Sequence, residues 1–551
     1  MPRPEAMVAG RNESDPRPRA KELVIAGLLL LVLAAVVFGE HALRGGFLGD
    51  DWAIYAVLSF SDHQGFFGAT QTLLETQPNI SQRPGLAIYL AAVDGVFGMH
   101  MGYYLAWAAV MGVILVLSVY WVLRLMKLPP LAAGSVSLLI LLFPGADAMR
   151  LWIAASPAQL SVTLAVLGLG LAILAFRAEG RASVGMHAAS VALYATSVLF
   201  QEGALAAMCG GVLLYLLVAP WRKAAVRWAV DLAVIVPIAV LVTSKTSFER
   251  QGAAGMVDHA KTMFGDAQTL LTSVVLPVGV EAGFVLVAVL IVVAAAIATS
   301  RALPREDADR VQLHRYLRAA LAGLFVVVAG YAIYIPAIDY YTPAAYGIGN
   351  RINNVPSIGW ALILVATGML LATLAAHALP RSRRYAQGIA ICAVLLVALQ
   401  YVGQLRTDAD RYQRAYETGA RALATMRASV PKPPAGAMIW TYGQPIQLVS
   451  GIPVFGNTWD MTSSVQLMWR DPTISSVPAY PELSFACRRT VVEPADDRFG
   501  KGKYRAPYGK AYFVNTVSGV YVIPRNRAEC VRITRRWQRP AVVAEPGGYD
   551  T

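Results

Sequence analysis

The sequence predicts a polytopic α-helical membrane protein of about eleven spans, followed by a small α/β domain outside the bilayer. Three observations carry this. The 551 residues are 56% apolar and only 15% charged, with a mean hydropathy of +0.51; a soluble chain carries nearer about a quarter of charged residues. Apolar runs close to bilayer length recur, at 22–39, 101–123, 131–143, 157–176, 185–200, 203–219, 228–244, 281–300, 319–336, 355–377 and 387–403. The basic residues of the connecting segments are also unevenly shared, 20 on one set of alternating segments and 7 on the other. The positive-inside rule then places the N-terminus in the cytoplasm. An odd number of spans places 404–551 on the far side of the inner (cytoplasmic) membrane, as a periplasmic or extracytoplasmic domain.

Taken in order, residues 1–21 are rich in Pro and Arg and read as a disordered cytoplasmic lead. The run 22–39 resembles a signal peptide, but Glu40-His41-Ala42-Leu43-Arg44 offers no small-residue cleavage site, so it reads as an anchor. Residues 22–403 form the membrane domain. Its first outer loop, 40–100, is the longest between spans, and 52–60 and 85–97 within it read as interfacial helices roofing a cavity. The run Leu131 to Phe143 is short for a span. In the tail, 404–430 is an amphipathic helix stopped by Pro431-Lys432-Pro433-Pro434. Strands follow around Ala437 to Tyr442 and Ala511 to Pro524, within a domain of about 110 residues. The stretch 538–551 reads as disordered. Cys209 and Cys392 lie in apolar spans, whereas Cys487 and Cys530 lie in the polar tail, where an oxidising compartment lets them form one disulfide.

The net charge of +13 does not indicate nucleic-acid binding, because most of the excess lies on cytoplasmic loops. The tail itself holds 20 Lys/Arg against 12 Asp/Glu.

Unusual polar residues gather on the outer side. Phe47-Leu48-Gly49-Asp50-Asp51-Trp52 places two adjacent carboxylates at a membrane face, where they cost desolvation and repel each other. The plain alternative is a helix N-cap. The other outer loops supply Arg83, Arg150, Glu202, Lys245, Arg250 and Arg351. Arg150 is also spaced to pair with Asp147 at i and i+3.

These residues resemble the membrane-embedded GT-C glycosyltransferases, and among them the transmembrane-and-TPR O-mannosyltransferases and their bacterial relatives. Four blocks carry the likeness, in the family's order over roughly 20–375. They are Asp50-Asp51-Trp52; Gln82-Arg83-Pro84-Gly85-Leu86; Leu199-Phe200-Gln201-Glu202-Gly203; and Asn350-Arg351 with Pro356-Ser357 and Gly359. The family's Lys is Gln201 here, its His-Pro-x-His segment is Phe143-Pro144-Gly145-Ala146, and no TPR period follows. Protein O-mannosylation is therefore not carried over.

The resemblance implies transfer of a sugar from a polyprenyl-phosphate-linked donor to a glycan, lipid or protein acceptor, in contact with the lipid bilayer and without a cofactor. The residues suit that chemistry. One of Asp50 and Asp51 is the expected general base; Asp50 is assigned that role, with Asp51 orienting it, holding the acceptor or raising its pKa by like-charge repulsion, and the two roles are close to interchangeable. Arg83, Arg150, Lys245, Arg250 and Arg351, together with Glu202, are the expected donor-phosphate and substrate ligands, since a guanidinium fork grips two phosphate oxygens. One-step displacement implies inversion. No metal site is expected, because His41, His63 and His100 lack ligand spacing. Serine-nucleophile, P-loop and dinucleotide motifs are absent. A transporter or flippase, or an assembly protein, for lipid-linked glycans is the alternative; a transporter would place charges at the span centres, which are almost free of them.

Overall fold

The computed structural model describes residues 18–62, 65–244, 252–277, 281–337, 341–379, 381, 383–479, 485–495 and 504–537. The predicted lead, apart from 18–21, and the stretch 538–551 lie outside the described residues, as do Lys245 and Arg250.

Among the described residues nine helices are long and apolar enough to cross a membrane: Ala20–Arg44, Met101–Leu125, Ile153–Arg177, Gly180–Phe200, Trp221–Ser244, Ala282–Ala302, Ala308–Ala332, Ile348–Ala378 and Tyr385–Ser429. Two of the eleven predicted spans need correction. The run 131–143 forms Pro130–Leu142, a 13-residue helix about 20 Å long, most of it buried between its neighbours. The run 203–219 is not one helix. It breaks into Glu202–Ala204, Leu205–Cys209 and Val212–Tyr215 around Gly210-Gly211. A Cβ on Gly210 would sit 2.6 Å from the Phe325 ring, so glycine permits close packing there while giving up helix propensity.

The end of the bundle rich in basic residues is tied by local contacts. Glu22 accepts from Arg124 Nε and Tyr120 Oη, both at 2.6 Å. Asp231, itself buried, accepts from the Tyr215 hydroxyl at 2.6 Å with His187 at 3.5 Å.

At the opposite end, residues 143–156 are folded inward as short turns, almost wholly buried. Buried irregular backbone must find side-chain partners, and it does. Asn350 Nδ2 donates to Pro144 O at 3.1 Å and its Oδ1 accepts from Ala148 N at 3.1 Å. Asn353 donates to Gly145 O at 2.6 Å, and Gln159 to Met149 O at 2.7 Å.

The helix predicted at 404–430 is continuous with the last span. Arg383–Ser429 runs for 47 residues, roughly 70 Å, with no proline to interrupt it. It delivers the chain to the C-terminal domain. There Ser475–Pro478, Met438–Tyr442 and Ala511–Asn515 form a parallel sheet, in that order, and Tyr521–Val522 joins antiparallel at its edge. Trp440 and Phe513 stack in its core. Cys487 and Cys530 are bonded, with Cα atoms 5.9 Å apart, tying a second small sheet to the helix Arg527–Trp537. The helix Thr458–Trp469 packs both on the four-stranded sheet, at Ser475–Pro478, and on Asp50–Ser59. A further join is made at Gly347, whose φ is +75° and whose Cα lies against the Gly451 backbone. Ile348 N donates to Gly451 O at 2.8 Å.

Candidate active site

The inward-folded turns, the first long loop and the C-terminal domain enclose one cavity of about 1710 Å³. Asp50, Arg83, Glu202 and Arg351 all line it, from four separate segments of the chain.

The two adjacent carboxylates have different positions. Gly49, at φ +52°, turns the chain sharply into the helix Asp50–Ser59, so that consecutive side chains point apart. Asp50 is exposed at the cavity wall, and its Oδ1 accepts from Trp459 Nε1 at 2.9 Å. Asp51 is 1% exposed. Its Oδ2 accepts from Leu48 N at 2.9 Å and its Oδ1 from Ala154 N at 2.7 Å. Burial holds the Asp51 carboxyl well above the usual carboxylate range, against the pull of those two amides. Asp51 therefore fastens the Leu48 turn to the inward-folded segment, and each of its oxygens accepts a backbone amide. Trp152 reinforces the join by donating to Leu48 O at 2.9 Å.

Arg83 and Glu202 form a forked pair, Nε to Oε2 at 3.0 Å and Nη2 to Oε1. Burial alone would raise the Glu202 carboxyl, but the charge and hydrogen bonds of Arg83 outweigh it and the net shift is downward. Arg83 is shifted upward by the same partner, against its own burial. Further N–H donors remain on the guanidinium.

Arg351 lies in a short 3₁₀ turn, Ile348–Asn353, and its Nη1 donates to Ile348 O at 3.0 Å. Its Cζ sits 5.5 Å from the Trp152 ring centre and 5.7 Å from that of Tyr341. Aromatic faces thus hold the cation at the wall. Asn350, the preceding residue, is locked by its three contacts to the inward-folded turns, including Nδ2 to Asp147 Oδ1 at 2.7 Å. That anchors the turn presenting Arg351.

Arg150 does not reach the cavity. It is 4% exposed, donates from Nη2 to Phe143 O at 2.7 Å, and lies 5.6 Å over the Phe38 ring. Burial lowers it to about 10. The turn Ala148–Leu151 places it among buried neighbours, away from the cavity lining. Asp147 hydrogen-bonds Asn350.

Cavity residues that the sequence reading does not single out include Asp62, Glu75, Tyr334, Tyr341 and Trp459. Tyr334 and Tyr341 stack with centroids 5.8 Å apart. Trp459 stands 409 positions from Asp50, in a tail segment whose sequence shows only a helix start. No local signal announces that contact.

No protein-family model matches the chain, and no curated protein matches it. Among solved structures it is similar to the crystal structure of ArnT from Cupriavidus metallidurans in the apo state, at 14% identity and a TM-score of 0.36, over 81% of this chain and 85% of that one. It is also similar to the Archaeoglobus fulgidus oligosaccharyltransferase in its apo form, at 14% identity and a TM-score of 0.41, over 83% of this chain and 64% of that one. Against the same oligosaccharyltransferase in complex with Zn and sulfate the identity is 15% and the TM-score 0.37, over 83% of this chain and 62% of that one.

Proposed function

We propose that the chain is a GT-C-type glycosyltransferase that moves a sugar from a polyprenyl-phosphate donor to an acceptor hydroxyl. One observation carries the reading: an acid, Asp50, and two cations, Arg83 and Arg351, line a single large cavity at the end of the span bundle. An acid and cations at separate places would serve no such reaction.

In the proposed step the acceptor oxygen attacks the anomeric carbon and its proton passes to Asp50. The bond from that carbon to the phosphate oxygen breaks, and polyprenyl phosphate leaves. A single displacement inverts the anomeric centre. Negative charge grows on the departing phosphate, so cations fixed beside it stabilise the transition state more than the ground state. Arg351 and Arg83 are the phosphate ligands in this reading, both at the cavity wall. Arg83 contributes its remaining N–H donors and shapes the wall.

The distribution of basic residues supports an exported cavity, with the N-terminus cytoplasmic. The Cys487–Cys530 bond accords with an oxidising compartment around the C-terminal domain.

The test is transfer from a panel of synthetic polyprenyl-phosphate hexoses and pentoses into envelope extracts, comparing wild type with Asp50→Asn. The reading predicts a labelled product with at least one donor, lost in the variant. Product formation that the variant matches would remove Asp50 from the reaction, and no product from any donor would remove the donor class.

A further inference from the structure

The cavity has two chemically distinct walls. Among the described residues, every charged residue lining it comes from the membrane domain: Asp50, Asp62, Glu75, Arg83, Glu202 and Arg351. The C-terminal domain contributes its residues from 447–475 and Tyr504, and none of these is Asp, Glu, Lys or Arg. They include amides and hydroxyls, such as Asn457 and Ser463, two aromatic side chains, Trp459 and Tyr504, and a few small or apolar residues such as Ile474. Trp459 is 44% exposed, a large apolar ring left bare beside hydrogen-bonding groups. The guanidiniums of Arg83 and Arg351 on the charged wall suit a phosphate. A neutral wall of amides, hydroxyls and exposed aromatic faces suits a sugar ring, which presents C–H faces and hydroxyl edges.

The two walls meet at one bond. The Trp459 indole N–H donates to Oδ1 of Asp50 at 2.9 Å. Among the described residues no hydrogen bond engages Oδ2 of that carboxylate. The helix carrying Trp459 is itself firmly set: Asp460 Oδ2 accepts from Gly456 N at 3.0 Å and its Oδ1 from Asn457 N at 3.1 Å, while Thr462 Oγ1 donates to Ser476 O at 2.7 Å in the sheet. The indole therefore reaches the carboxylate from a rigid domain.

We propose that the C-terminal domain forms the acceptor subsite, that the acceptor is a neutral glycan, and that Trp459 both packs against its terminal sugar and positions Asp50. This rests on the glycosyltransferase reading above and names the substrate class of the same cavity. The indole holds Oδ1, which leaves Oδ2 to take the proton of a hydroxyl presented from the Trp459 and Tyr504 side. The donor phosphate occupies the opposite, charged wall, so each substrate approaches its own face of the cavity.

The experiment uses the full chain in lipid nanodiscs with a polyprenyl-phosphate sugar that supports turnover, and neutral oligosaccharides, acidic oligosaccharides and hydroxyl-bearing peptides as acceptors. The inference predicts transfer to a neutral oligosaccharide. Trp459→Ala should raise the acceptor KM by roughly tenfold or more with the donor KM unchanged. Trp459→Phe, which keeps a ring but loses the N–H, should lower kcat and leave the acceptor KM within about twofold. A purely structural role for Trp459 would not split the two constants this way. If the variants fold poorly, oxidation of Trp459 by N-bromosuccinimide in the wild-type protein, read by mass spectrometry, decides instead. Neutral oligosaccharide should protect the indole and polyprenyl phosphate should not. Transfer to peptide or acidic glycan alone, an unchanged acceptor KM in Trp459→Ala, or absent protection would overturn the inference while leaving the transferase standing. Absence of any transfer by the wild type would instead overturn the reading beneath it.

Discussion

Arg83 and Glu202, 119 positions apart in the chain, meet fork to fork at the wall of the cavity. Their side chains are 18% and 25% exposed, so the pair is shielded enough to matter. Replacing Glu202 by Gln should cost about 1–3 kcal/mol, because a half-buried guanidinium loses its counter-charge. The dependence on pH follows from the downward shift of Glu202 below its ordinary 4.5. A lowered carboxyl contributes stability that is fully present above its unfolded value and is lost as pH falls through its folded one. Thermal unfolding of the wild type should therefore steepen below about pH 4.5, and Glu202→Gln should flatten that limb. Parallel acid limbs in the two proteins would contradict the pairing.

Asp50 and Asp51 are neighbours in sequence with opposite expected phenotypes. Asp51→Ala strands the Leu48 and Ala154 amides in a buried site, at a cost of about 2–5 kcal/mol. Low yield or a depressed melting temperature should follow. Asp50 is exposed, and Asp50→Asn should stay within about 1 kcal/mol of wild type. Fluorescence-detected gel filtration after a temperature ramp separates the two. Equal melting temperatures would remove the structural role given to Asp51.

Gly347 is held at φ +75° with the Gly451 backbone against it. A Cβ there would lie 2.6 Å from the Gly451 carbonyl oxygen. Gly347→Ala should therefore loosen the C-terminal domain from the turn carrying Arg351, costing about 1–3 kcal/mol from conformation alone. Limited proteolysis should cut the variant near 430–436 faster than wild type, and unchanged cutting would show that the contact is dispensable.

The Cys487–Cys530 bond closes a loop across 43 positions. Its reduction should destabilise the C-terminal domain by about 4 kcal/mol by loop entropy, while the membrane helices persist. Circular dichroism with and without reductant should show one transition moving and the other staying. A joint shift would mean that the domain and the bundle unfold as one unit.

Much of the architecture was readable from hydropathy, because a bilayer imposes length and apolarity on each crossing helix. What hydropathy does not register is continuity. The run 203–219 is apolar enough to be a span, yet Gly210-Gly211 breaks it. The last span and the amphipathic segment after it look like two helices because the pattern changes, although nothing in the residues interrupts the backbone. Asp50, Arg83, Glu202 and Arg351 were readable because charge at a membrane edge is costly and conspicuous. Arg150 was equally conspicuous, but its carbonyl partner at Phe143 exists only once the turn folds inward. Trp459 was invisible for the converse reason, since an aromatic residue beside a helix start is commonplace and its partner lies in another domain.

The most direct test of the central claim is the single-turnover rate of Asp50→Asn with a donor that the wild type uses, measured together with donor affinity. Loss of a general base predicts a fall of roughly 10²–10⁴-fold in rate, with donor affinity and melting temperature preserved. A rate equal to that of the wild type would contradict the role assigned to Asp50, and with it the chemistry proposed for the cavity.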